Sequence, residues 1–257
     1  MATIIGKKED ANLYQTLANE IKTSFNNKFF NTATKIYSTG SQTAMAMPLC
    51  LGLVNESDRK QVLGNLVDSI TTHHNALTAG DIGFHFLVQA LEEGGASQTL
   101  FDMINRDDVP GYGFQLKKGA TTLTESWAAL ENVSNNHLML GHVMEWLYSS
   151  IAGISQEDNS VGYKHIKICP QPVGDIDFAK GNFHSPSGWI ILQWEKKALI
   201  FNLRVQIPAN TKATVYLPIT NNSKISMNGN NLDRFKKLDN VGIVDIGSGT
   251  YTFQVKQ

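Results

Sequence analysis

The chain has 257 residues, 42% of them hydrophobic, and 22 Lys and Arg against 23 Asp and Glu leave a formal net charge of −1. That length supports one large or two modest domains with real cores, and the even charge without a basic stripe argues against a nucleic-acid partner. The apolar runs are too short to span a bilayer, the first residues lack the charged-then-apolar layout of a secretory leader, and Cys50 and Cys169 read as buried thiols rather than a disulfide.

In chain order the first regime is helical. Leu13, Leu17 and Ile21, with Tyr14, Ala18 and Phe25, recur at three- and four-residue spacing, and Glu9 and Asp10 stand where a helix N-terminus favours negative charge. A second helix is expected after Gly40, through Ala44, Met47 and Leu51, with Pro48 kinking or ending it. Asn55 with Asp58 marks an N-cap for a helix burying Val62, Leu63, Leu66, Val67 and Ile70. Phe84, Leu87, Val88 and Leu91 make the next helix, Leu100, Phe101 and Ile104 a shorter one, and a last helix opens at Asn136 and stops at Gly153. Helices joined by glycine-rich loops without intervening strands predict stacked helical hairpins.

The period changes between Ser155 and Gly162. Alternation at residues 165–168, the run 189–194, and residues 198–207, 213–217 and 251–255 predict strands, with Asn228-Gly229 and Ser248-Gly249 as tight hairpin turns. Seven or eight short strands imply an antiparallel β-sandwich. The expected architecture is therefore α+β in two domains, residues 1–158 and 159–257.

Two stretches combine the parts that a sugar-cleaving site needs: a carboxylate to move a proton, a flat ring for the sugar's apolar face and a neutral donor for hydroxyls. In Gly119-Ala120-Thr121-Thr122-Leu123-Thr124-Glu125-Ser126-Trp127 a turn-rich segment delivers a carboxylate beside an aromatic, and Asn136-His137 then opens a helix. With residues 40–44, 77–83, 110–113, 162–166 and 170–175 following the same order, these motifs resemble the α-L-rhamnosidases of glycoside hydrolase family 78, in their C-terminal part. The resemblance runs nearly end to end. It implies the second half of an (α/α)6 barrel of helical hairpins followed by a β-sandwich, an inverting mechanism, and removal of terminal α-linked L-rhamnose from rhamnose-containing carbohydrate. Nothing in the chain resembles the family's acidic segment bearing the general acid. The expectation is thus a chain lacking the N-terminal part of its parent, weakly active alone and prone to self-association through uncovered helix faces. The resemblance calls for no cofactor.

Glu125 alone is one acid among 23, for which a surface ion pair is the plain reading; carried by its motif, it matches the family's general base. His137 matches a histidine that contacts the bound sugar, where a lone helix-start histidine would be satisfied by backbone. Trp127 is either an apolar wall beside the base or a core tryptophan. Tyr112 stands where many relatives have tryptophan and is expected to stack on a sugar, although Pro110, Gly111 and Gly113 fit a purely conformational turn. Thr124 and Ser126 replace bulkier flanking residues, and the 125–137 linker is short for the family. Asp81 reads as a turn or N-cap residue, and His73-His74 lacks further ligands, so no metal is expected. Two alternatives stay open: a non-catalytic carbohydrate-binding or structural fragment, and an α/α-barrel glycosidase for another sugar.

Overall fold

In the computed structural model, which describes residues 1–257, internal contacts separate residues 1–141 from residues 142–257. The first unit opens with α1 (Lys8–Phe29), whose first turn carries Glu9 and Asp10 as expected. The apolar spacing builds the helix but buries none of it: Leu13, Tyr14, Leu17 and Ile21 all stay exposed. A two-residue ladder, β1 (Phe30–Asn31) with β2 (Ile36–Tyr37), then interrupts the helices. Strands this short carry no alternation to read, so the expectation of strand-free hairpins is corrected here.

Helix α2 (Gln42–Cys50) is capped by Ser41, whose Oγ accepts the Ala44 N–H at 3.2 Å, and it stops two residues after Pro48. Asn55 does occupy the N-cap position of α3 (Glu56–Thr72), but its side chain makes no capping bond. Val62, Leu66 and Ile70 form the buried stripe of α3, and α4 (Asp81–Glu93) buries Phe84, Leu87, Val88 and Leu91. Helix α5 (Ser97–Ile104) buries Leu100 and Met103. The short α6 (Tyr112–Lys117) lies where glycine and proline had indicated only a turn. Helix α4 meets α2 with its backbone at Gly83 against the Thr43 side chain, which a Cβ there would overlap.

The helix expected over residues 136–153 begins at Leu138 and changes pitch twice: a 3₁₀ turn (Leu138–His142), an α turn (Val143–Trp146) and a π turn (Leu147–Ala152). Gly153 ends it in the left-handed region at φ 86°, donating to the Tyr148 carbonyl at 3.0 Å. The first unit ends at Gly141 and the second begins at His142, ahead of the 158/159 boundary expected from periodicity. The last turns belong with the strands, because Trp194 Nε1 donates to the Ile151 carbonyl at 2.7 Å and Gly181 leaves room for Ala152.

The second unit contains β3 (Ile154–Gln156), β4 (His165–Ile168), β5 (Phe178–Ser185), β6 (Gly188–Lys197), β7 (Ile200–Ile207), β8 (Lys212–Pro218), β9 (Lys224–Met227), β10 (Asn230–Asn231), β11 (Lys236–Leu238), β12 (Val241–Ile246) and β13 (Gly249–Lys256). They form a six-stranded sheet in the order β10-β9-β13-β7-β6-β5 and a five-stranded sheet in the order β11-β12-β8-β4-β3. Every pairing is antiparallel except β4 with β8. Alternation sends Ile190, Leu192, Trp194, Leu203, Val205, Phe253 and Val255 into the core from one sheet, and Ile166, Ile168, Val215 and Leu217 from the other. Asn228-Gly229, at φ 52° and 82°, is the expected two-residue hairpin turn between β9 and β10. Ser248-Gly249 is not a hairpin turn: β12 pairs with β8 and β13 with β7 and β9, so this segment carries the chain between sheets. Cys50 and Cys169 form no disulfide and are half-buried rather than buried, the Cys50 Sγ donating to the Phe86 carbonyl at 3.2 Å.

Candidate active-site edge

The turn leading into α4 is fixed from three directions. Buried Gln42 donates from Nε2 to the Ala76 carbonyl at 2.8 Å and accepts on Oε1 from the Thr78 and Ala79 N–H groups at 2.9 and 3.0 Å. Trp127 Nε1 donates to the Ala79 carbonyl at 2.6 Å, and the Leu77 N–H donates to the Pro110 carbonyl at 3.0 Å. A buried amide that leaves no polar group unmatched rigidifies what it holds. What it holds here is Asp81, the first residue of α4. Asp81 Oδ1 accepts from the Ile82 N–H at 2.8 Å, while Oδ2 lies 3.5 Å from His137 Nε2.

The Glu125 and His137 motifs are stitched side by side. His137 N–H donates to the Leu123 carbonyl at 2.9 Å, Glu125 N–H to the Ser134 carbonyl at 2.8 Å, and the Thr122 hydroxyl to the Asn135 carbonyl. Residues 122–125 and 134–137 therefore run antiparallel, closing a compact loop between them. The Glu125 carboxylate is exposed; its Oε2 accepts the Ser134 N–H at 3.2 Å. One bond to the loop backbone orients the group without pairing it to a cation. The His137 side chain is only 20% exposed, and its Nε2 is shut off from water without a hydrogen bond, facing Asp81.

The two aromatic candidates sit differently. Trp127 is buried, edge-on to Phe84 at 4.9 Å and to Tyr112 at 5.1 Å, so of its two readings the structure favours the core tryptophan. Tyr112 is half-buried and donates its hydroxyl to the Leu140 carbonyl. Its ring packs edge-on against Phe84 at 5.8 Å, which supports the conformational reading of that turn. Gly113 belongs to the same reading, since a Cβ there would overlap the Arg106 carbonyl. Arg106 in turn forks onto Asp108 with two bonds of 2.6 Å, which hold the Asp108 carboxyl below its ordinary range. His73 Nδ1 lies 2.7 Å from the Ser69 carbonyl, and no three His, Cys, Asp or Glu side chains converge as a metal site.

Sequence reasoning passed over Gln42 and took Asp81 only for a turn or cap. Their signal was present in the Gly40-Ser41-Gln42-Thr43 and Gly80-Asp81-Ile82-Gly83 motifs, where a glutamine inside an apolar helix has to find partners.

Residues 1–151 match the family model for the bacterial α-L-rhamnosidase 6 hairpin glycosidase domain, and residues 153–231 match that for the bacterial α-L-rhamnosidase C-terminal domain. An α-L-rhamnosidase of Formosa agariphila is 28% identical over 99% of this chain and 29% of its own length. The α-L-rhamnosidase structure from Dictyoglumus thermophilum superposes with a TM-score of 0.92 at 29% identity, over 100% of this chain and 30% of that one. The Streptomyces avermitilis α-L-rhamnosidase complexed with L-rhamnose gives 0.90 at 27% identity, over 99% and 25%. The chain thus spans less than a third of the length of these relatives. With its helical unit matched throughout and its strands matched as far as residue 231 by the companion domain, the chain belongs to the bacterial α-L-rhamnosidase six-hairpin glycosidase family.

Proposed function

We propose that this chain supplies the general base and part of the sugar-binding wall of an inverting α-L-rhamnosidase acting on terminal α-linked L-rhamnose. In this reading residues 1–158 carry the site and residues 159–257 contribute no reacting group. The observation that carries it is the stitched pair of segments: Glu125 and His137, twelve positions apart, are held on adjacent antiparallel stretches by backbone bonds of 2.8 and 2.9 Å. Glu125 takes a proton from the attacking water, a role suited to an exposed, oriented carboxylate with no cation beside it. Inversion needs a protonated carboxyl across the sugar, about 6.5–9.5 Å from the base to admit that water. That acid is assigned to a segment outside these 257 residues. His137 belongs to the sugar-binding wall in this reading, with its Nε2 turned toward Asp81, and Trp127 and Tyr112 support the wall from the core side.

The test has two arms. Saturation-transfer NMR should detect L-rhamnose on the isolated chain, weakened by His137→Ala, while aryl α-L-rhamnoside turnover stays near background. Joined to the preceding barrel segment of a relative, the chain should turn over the aryl glycoside, and Glu125→Gln should then lower kcat by about 10³-fold or more at unchanged fold. Sugar binding without any gain of turnover on joining would favour the carbohydrate-binding alternative.

A further inference from the structure

The outer face of the six-stranded sheet carries an open hollow of about 700 Å³, lined by β6, β7, β9, β13 and the β9–β10 hairpin. The side chains facing it lie opposite the core-facing Trp194, Leu203, Ile225 and Phe253. Strand register lays them out in rungs. Glu195, Asn202, Gln254 and Ser226 form one continuous rung across four strands, with Gln254 Nε2 donating to Asn202 Oδ1 at 3.0 Å. One rung further toward the end of β13, Lys256 stands directly opposite Lys224, and on the other side Arg204 stands opposite Thr252.

Two features of this layout point to a ligand. Like charges directly opposite in an antiparallel pair destabilise it, yet Lys224 and Lys256 are so placed, both exposed and neither in an ion pair. Glu195, the hollow's only carboxylate, is already paired with Lys197 at 3.1 Å. Arg204, Lys224 and Lys256 therefore leave an uncompensated positive field over a floor of amides and hydroxyls. No ring is available to stack a base, because the one aromatic in the lining, Phe253, is buried.

We propose that this hollow binds an acidic oligosaccharide, its carboxylate or sulfate groups held by Lys224, Lys256 and Arg204 and its hydroxyls by the Asn202–Gln254 rung. An anion relieves the Lys224–Lys256 repulsion, and Arg204 offers a fork that matches either oxyanion. That the anion is carried on a sugar rests on the glycosidase reading above; the surplus of positive charge does not.

Calorimetry of the full chain at low ionic strength decides it, with tetragalacturonate, its methyl ester, a sulfated tetrasaccharide and a short single-stranded oligonucleotide as probes. The acidic sugars should bind at least tenfold more tightly than the ester, and the tighter of the two identifies the anion. Binding should weaken with salt. The triple variant Arg204→Gln/Lys224→Gln/Lys256→Gln should lose at least tenfold, and Lys224→Gln alone serves if the triple variant fails to fold. Glu125→Gln should bind the acidic sugars unchanged, so failure of the catalytic reading shows in turnover and failure of this one in binding. Equal affinity for the ester, no loss in the variants, tighter binding of the oligonucleotide, or no binding of either acidic sugar would overturn the proposal.

Discussion

At His137 a buried ring nitrogen lies 3.5 Å from the Asp81 carboxylate without bonding to it. A polar atom buried without a hydrogen bond is destabilising by about 1–3 kcal/mol, and a sugar hydroxyl reaches this one only when the ring turns outward. His137→Ala is expected to weaken L-rhamnose binding about tenfold, the equivalent of one hydrogen bond at about 1.4 kcal/mol, and Asp81→Asn by less; ligand titration by NMR checks both, and equal affinity in His137→Ala would remove the residue from the site. Trp127 gives the opposite lesson. It lies two positions from Glu125, yet its indole N–H is bonded to Ala79 and its ring is buried. Trp127→Phe should keep most of the packing but strand the Ala79 carbonyl, costing about 1–3 kcal/mol in urea unfolding. The motif pointed to both residues without distinguishing the one facing outward from the one packed inward.

Where a helix buries a regular stripe, periodicity was enough: α3 and α4 bury the residues their spacing predicts. It failed for α6, which is six residues long and begins inside a Pro-Gly-Tyr-Gly turn, and for β5, whose Phe178–Ser185 sequence lacks a β-branched run. Those elements form because neighbours hold them, β5 through a full-length pairing with β6. The contact between α2 and α4 is testable in the same terms. Gly83→Ala drives a methyl group into the Thr43 side chain and should cost about 1–3 kcal/mol by overpacking. Adding Thr43→Ala should recover part of that loss. Strictly additive losses in denaturant titrations would show that the two helices do not meet there.

For the whole chain, α1 presents Leu13, Tyr14, Leu17 and Ile21 to solvent, a continuous apolar stripe of a kind that drives association. Size-exclusion chromatography with light scattering should find oligomers, and Leu13→Lys with Leu17→Lys should shift them toward monomer; a monomeric wild type would contradict this. Alkaline pH should destabilise the chain for a separate reason. Burial first, then Asp58, pushes the Tyr37 phenol up to about 12, and burial followed by a hydrogen bond to Glu157 does the same for Tyr216. Because the folded chain holds these protons more tightly than the unfolded one, their contribution is complete below about pH 10 and is lost as pH rises through about 12. Urea midpoints should fall over that window, and Tyr37→Phe or Tyr216→Phe should flatten the fall.

Read as a string, the chain already contained its two regimes, its helical stripes, the family resemblance, and Glu125 and His137 as the residues to watch. Each of these rests on local periodicity or on motif order, which are properties of neighbouring positions. Folding alone supplied the facing of His137 by Asp81, the inward set of Trp127 and the facing of Lys224 by Lys256. Asp81 and His137 are 56 residues apart, Ala79 and Trp127 are 48 apart, and Lys224 and Lys256 are 32 apart. Such meetings depend on loop closure and strand register, and a shift of one residue in register would turn either lysine to the opposite face of the sheet.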